Sequence, residues 1–171
     1  RWVLLAGSLP DADEEWIAAF SDGLFACARC YTVDLVGGDT TRGPLNLCIT
    51  ALGEVPVGTS LRRDLARPGD DLWISGQPGL AALGLAHLQS RTRLPEMLSK
   101  RCISALQKPV PRVELGLALR QQHLAQSAID VSDGLLADLG HIAERSGVDA
   151  LVFLPQLPCL PAGADPVLAR N

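Results

Sequence analysis

The chain has 171 residues, a formal net charge of −4 and a sequence pI near 5.3. That balance offers no basic surface for nucleic acid or an anionic membrane, and aromatic residues at 4% leave few platforms for stacking single strands. Hydrophobic residues at 47% and charged residues at 20% are those of a globular chain, long enough for one domain or two small ones.

The opening Arg1-Trp2-Val3-Leu4-Leu5 reads as a strand already under way and carries no secretory pattern. No run approaches the roughly 18 apolar residues of a membrane span. With the end at Leu168-Ala169-Arg170-Asn171, these features give the expectation of a piece of a longer soluble, cytoplasmic protein.

Trp2 to Leu9 reads as a first strand, broken by Pro10. Asp11 or Asp13 can cap a helix running to about Tyr31, with Trp16, Ile17, Phe20, Leu24, Cys27 and Ala28 at the three-to-four spacing of one buried face. Val33 to Val36 is a short strand that runs into Gly37-Gly38-Asp39, read as a strand-to-loop junction. Alternation from Leu45 to Val55 gives a half-buried strand.

Arg67-Pro68-Gly69-Asp70 is a turn signal and places a domain boundary near residue 68, hence domains 1–68 and 69–171. Beyond it the pattern predicts a strand over Asp71 to Ser75, a Gly/Pro loop over Gly76 to Gly79, and helices over Leu80 to Leu88, Leu94 to Leu106 and Arg112 to Gln122. A brief strand at Ser127 to Asp130 leads to a helix capped by Ser132 or Asp133. Its face is Leu135, Leu136, Leu139, Ile142 and Ala143, and Gly147 closes it. A strand at Leu151 to Leu154 and a Pro-rich loop end the chain. Strands and helices alternate, which gives a two-domain α/β or α+β class.

The five cysteines (Cys27, Cys30, Cys48, Cys102, Cys159) are odd in number and scattered, which suits a reducing compartment. Cys27-Ala28-Arg29-Cys30 lacks a second pair or a histidine at zinc spacing, so packing is the favoured reading.

Two segments place carboxylates and small residues at the C-terminal ends of apolar strands, where open α/β sheets hold ligands. In Gly37-Gly38-Asp39-Thr40-Thr41 the glycines would let the backbone approach a phosphate, while Asp39 supplies a hard oxygen and Thr40 and Thr41 supply hydroxyls. In Asp130-Val131-Ser132-Asp133-Gly134 two carboxylates stand three residues apart before a helix whose N-terminus favours phosphate. Brought together, the two clusters would clamp a magnesium–nucleotide complex, since magnesium takes one or two carboxylates plus phosphate oxygens and water.

Spacing alone leaves both segments open. The first is equally a turn with Asp39 tying down its own loop, and the second equally a helix cap with a redundant acid. Gly79 and Gly84 have Walker-A spacing, but Leu85 stands where the lysine belongs. His87, His123 and His141 occur singly, in surface or packing contexts. Arg62-Arg63-Asp64 reads as a solvated charge cluster or as a guanidinium brought to a phosphate.

Taken in order, Leu35-Val36-Gly37-Gly38-Asp39-Thr40-Thr41-Arg42-Gly43-Pro44, Gly53-Glu54-Val55-Pro56, Leu61-Arg62-Arg63, Ala66 to Gly76 and Ala128-Ile129-Asp130-Val131-Ser132-Asp133-Gly134-Leu135 resemble the thiamine-monophosphate kinase family. The wider superfamily includes aminoimidazole ribonucleotide synthetase and selenophosphate synthetase. The resemblance implies that superfamily's fold, magnesium and ATP as cofactor and co-substrate, and phosphorylation of thiamine monophosphate to thiamine diphosphate. It implies Asp39, Asp130 and Asp133 as magnesium ligands, and Gly38, Asp39, Arg63 and Ser132 as nucleotide contacts, with no catalytic base assigned. It also implies a homodimer through N-terminal strands and ATP near the domain junction. The alternatives are another ATP-dependent superfamily enzyme, such as aminoimidazole ribonucleotide synthetase, or a non-catalytic nucleotide-binding or dimerisation remnant.

The family's upstream Gly-Asp-Asp segment and its downstream acidic substrate-contacting motif have no counterpart in this sequence, and Leu80 stands where relatives carry Asp. The expected outcome is little or no turnover by this chain alone in an assay with ATP and thiamine monophosphate. Turnover near that of a full-length relative would contradict it.

Overall fold

In the computed structural model, which describes residues 1–158, Trp2–Leu9 forms β1 and Glu14–Cys30 forms α1. Asp34–Arg42 forms β2 and Asn46–Leu52 forms β3. Four more helices follow: α2 over Leu80–Leu88, α3 over Glu96–Gln107, α4 over Val113–Gln121 and α5 over Leu135–Ser146. The chain divides into two compact units, Arg1–Thr59 and Ser60–Asn171. Cys159 and most of the Pro-rich tail lie outside the described residues.

The first unit is a three-stranded sheet in the order β2-β1-β3, with β1 parallel to β2 and antiparallel to β3. Asp13 caps α1, its carboxylate accepting the Trp16 amide N–H at 3.1 Å. The half-buried positions Ile17, Phe20, Leu24 and Ala28 recur at helical spacing, and α1 lies against β2. Trp16 and Cys27, expected on the same face, are exposed; Trp16 instead stacks on Phe20 with ring centroids 5.3 Å apart.

Two expectations for this unit are corrected. β2 does not end at Gly37 but runs to Arg42, because β1 continues alongside it and offers partners up to Leu9. β3 is exposed along its whole length instead of half-buried, since it is a sheet edge and α1 covers β2, not β3.

The second unit is built on α2 packed against α3. Leu80, Leu83, Leu94, Leu98 and Cys102 form its buried cluster, with Ala105 against it. A buried leucine in such a cluster contributes about 1.5–3 kcal/mol. A Cβ on Gly84 would stand 2.4 Å from the Cys102 carbonyl oxygen, so glycine is what lets the two helix backbones approach. Burial pushes the Cys102 thiol above its ordinary pKa. His87 has a packing role, its Nδ1 accepting the Leu94 amide N–H at 3.3 Å.

Helices α2 to α5 stand within two residues of the expected spans, and Gly147 caps α5 in the left-handed region at φ 65°. The three strands expected here do not form. Asp71 to Ser75 forms no regular element and has no paired strand among the described residues, and Trp73 is left 91% exposed. Ser127 to Asp130 makes one parallel bridge, from Ser127 to Arg62, and Leu151 to Leu154 gives way to a 3-10 turn over Leu154–Gln156. A strand needs a ladder, and an apolar run alone does not supply the partner. Residues 60–68, grouped with the first domain in the sequence, fall in the second unit. The Ala66 amide N–H donates to Ser146 Oγ at 3.1 Å.

Gly84→Ala is expected to lower the thermal stability of the second unit by about 1–3 kcal/mol through overpacking. Gly116→Ala, in α4 with open space around it, is expected to raise stability by up to ~1 kcal/mol. Thermal or denaturant unfolding of the two variants reads both signs.

Candidate functional site

In the first unit, Asp39 sits within β2 opposite Ala6 of β1. Its Oδ1 accepts the Thr40 amide N–H at 2.8 Å, which orients the carboxylate and leaves Oδ2 uncommitted. Among the described residues it has no cationic partner. Just beyond it, Thr40, Thr41 and Arg42 join Leu9, Pro10 and Ile17 around an open cavity of about 430 Å³. This cavity lies past the C-terminal ends of the parallel pair β1–β2, the position that parallel strands reserve for ligands. It went unseen in the sequence because it needs the Pro10 turn to bring the start of α1 beside the end of β2.

Gly38 is glycine for a reason internal to the sheet. Its φ is 151°, and a Cβ there would lie 1.9 Å from the Leu5 carbonyl oxygen. The space read as an approach for phosphate on that side is filled by the backbone of β1.

The second unit assembles Arg63, Asp130, Ser132 and Asp133 from two segments. Residues 62 and 126–128 are stitched together: the Arg62 amide N–H donates to the Gln126 carbonyl at 3.1 Å, and the Ala128 amide N–H to the Arg62 carbonyl at 3.0 Å. Ser127 Oγ donates to the same Arg62 carbonyl at 2.8 Å, and Ser146 Oγ donates to the Arg63 carbonyl at 3.1 Å. The Arg62 guanidinium is spent on Asp64, with Nε 2.7 Å from Oδ1. That hydrogen bond holds the Asp64 carboxyl below the usual carboxylate range.

Arg63 is left to face Asp130, with Nη2 3.9 Å from Oδ1 and side chains 56% and 75% exposed. So long and exposed an ion pair is worth at most ~1 kcal/mol. Either partner can therefore exchange it for a ligand, Arg63 for an anion and Asp130 for a cation. Asp133 is exposed and, among the described residues, has no cationic partner.

The loop over residues 130–134 is held differently from the sequence expectation. Neither Ser132 nor Asp133 caps α5; Gly134 is the N-cap and no side chain caps from that position. Instead Asp138, 3% exposed, reaches back from the first turn. Its Oδ2 accepts the amide N–H groups of Ser132 at 2.9 Å, Asp133 at 3.1 Å and Gly134 at 3.2 Å. A carboxylate has lone pairs to satisfy several such donors, so Asp138 closes the turn that Ser132 or Asp133 was expected to cap.

Residues 1–55 match the family model described as AIR synthase related protein, N-terminal domain. The chain is 46% identical over 158 residues to thiamine-monophosphate kinase of Salmonella typhimurium, covering 92% of this chain and 48% of that protein. It is also 46% identical over 162 residues to the Escherichia coli K12 protein of the same name, with the same coverage. Among solved structures, thiamine-monophosphate kinase from Stenotrophomonas maltophilia K279a superimposes with a TM-score of 0.79 at 52% identity, covering 85% of this chain and 47% of that one. The complex of AaThiL with AMPPCP and TMP superimposes with a TM-score of 0.70 at 27% identity, covering 86% and 47%. The fold is thus that of the AIR-synthase-related proteins, and the chain spans about half the length of the relatives it matches.

Gly38→Ala is expected to disrupt the β1–β2 pairing and destabilise the first unit by at least ~2 kcal/mol. Faster amide exchange in β1 and β2, with α2 and α3 unchanged, is the reading that checks it.

Proposed function

We propose that this chain, homologous over 92% of its length to thiamine-monophosphate kinases, carries nucleotide- and magnesium-binding residues for transfer of the γ-phosphoryl group of ATP to the phosphate of thiamine monophosphate. The observation that carries this reading is the exposed Arg63–Asp130 pair, 3.9 Å apart. It sets a guanidinium suited to phosphate beside a carboxylate suited to a hard cation. The AMPPCP and TMP bound in AaThiL support the choice of a nucleotide as one ligand.

In this reading Asp39, Asp130 and Asp133 are the magnesium ligands. Gly38, Asp39, Arg63 and Ser132 contact the nucleotide. Exposed carboxylates with no firm cationic partner fit an ion that takes one or two protein oxygens and completes its shell with water and phosphate. Magnesium, when bound, supplies neutralisation of phosphate charge. Arg63 holds and orients phosphate oxygens through its fork of donors, and the Ser132 hydroxyl donates to a nucleotide oxygen. The acceptor phosphate is already anionic, so its oxygen attacks without a general base.

Leu47 and Ile49, on one face of β3 and 38% and 50% exposed, support association with a second copy through this sheet. The described residues include no helix long and apolar enough to cross a membrane.

In the complete gene product, Asp39→Asn, Asp130→Asn and Asp133→Asn are each expected to lower kcat/KM for magnesium-ATP by roughly 100-fold or more. Arg63→Ala is expected to weaken nucleotide binding while leaving stability within about 0.5 kcal/mol. Steady-state kinetics with thiamine monophosphate, calorimetry and thermal unfolding read these effects. Full activity in the aspartate variants, or no phosphorylation of thiamine monophosphate, would sink the reading.

A further inference from the structure

We propose that Asp138 is a positioning residue for magnesium, acting through the loop that carries Asp130 and Asp133; the inference rests on the magnesium-ATP reading above. Asp138 is itself 3% exposed, and the oxygen that carries its hydrogen bonds is turned to backbone and not to solvent. What it holds is the backbone. One oxygen, Oδ2, gathers the N–H groups of Ser132, Asp133 and Gly134 within 2.9 to 3.2 Å. Three consecutive donors on one acceptor fix the course of the turn, and with it the directions in which the Ser132 and Asp133 side chains leave the chain.

This arrangement has a second consequence. The N–H groups at the start of a helix are the usual seat for a phosphate. Here those of Ser132, Asp133 and Gly134 are already committed to a buried anion. The loop therefore offers a nucleotide only side chains: the Ser132 hydroxyl, and the carboxylates of Asp130 and Asp133 by way of the metal. A phosphate seated on these three amides would have to displace Asp138, which has no other hydrogen-bond partner for its side chain among the described residues. Nucleotide affinity at this loop should accordingly depend on the metal, and metal affinity on Asp138.

Groups that orient the ligands of a metal typically change its affinity by ~10–100-fold when removed. In the complete gene product, Asp138→Ala is expected to raise the Mg²⁺ concentration for half-maximal rate, and the dissociation constant for Mn²⁺ read by electron paramagnetic resonance, by at least about tenfold. The rate at saturating Mg²⁺ should stay within about threefold, the split expected when binding and not chemistry is lost. Asp138→Asn, which can turn its amide oxygen to the same donors, should restore most of the affinity. A merely structural role would lower the unfolding midpoint without moving the Mg²⁺ requirement.

The wild-type protein provides a test that does not depend on whether Asp138→Ala folds. Amide exchange at residues 132–134 should already be slow without ligand and should change little on adding magnesium-ATP. Strong new protection there on nucleotide binding would overturn the inference, as would unchanged Mn²⁺ affinity in Asp138→Ala. Absence of Mn²⁺ binding by the wild type overturns both this inference and the magnesium reading. Binding that obeys Asp138 without phosphorylation of thiamine monophosphate overturns only the assignment of substrate.

Discussion

The carboxylate of Asp138 sits at the foot of a turn whose three successive amide groups all point at one of its oxygens. Without an acceptor there, these three N–H groups would lose the one partner that the folded chain gives them, and the turn its fixed course. The acid satisfies them from within the helix that the turn introduces, so loop and helix are one piece. Asp130 lies just ahead of that piece, and the stitching of residues 126–128 to Arg62 brings Arg63 within reach of it. The chemistry of the second unit's surface is thus decided by hydrogen bonds to backbone, while its stability comes from the α2–α3 cluster elsewhere in the unit.

The first unit is organised by a different constraint. β1 is the central strand, and everything in the sheet is set by how closely its neighbours approach it. Gly38 permits that approach, and the irregular register between Val3 and Leu4 brings Gly37, Gly38 and Asp39 opposite Leu4, Leu5 and Ala6. No residue of this unit is buried, and Val36, Leu47, Ile49 and Leu52 stay exposed.

The helices were legible because each carries its own evidence. Apolar spacing marked α1 and α5, and Gly147 ended α5. The strands at Asp71 to Ser75 and Leu151 to Leu154 failed because a strand is a property of two segments, and among the described residues no second segment pairs with either. The carboxylates Asp39, Asp130 and Asp133 stood out by type and by their place beside small residues, while spacing alone left a turn or a cap equally open. Asp138 could not be distinguished from them. Its position in the first turn of a helix reads as an ordinary favourable charge, and only the folded chain turns it inward.

By itself the sequence determined the α/β class, the helices, and the two acidic segments with their resemblance to one kinase family, because these depend on residue type and local spacing. Tertiary structure alone decided that Gly38 serves the sheet, that Arg63 and not Arg62 faces Asp130, and that Asp138 binds the turn. Each of those depends on which backbone atom arrives at a given point in space. Spacing along the chain does not record that, because the partners lie on other strands, other segments or the far side of a turn.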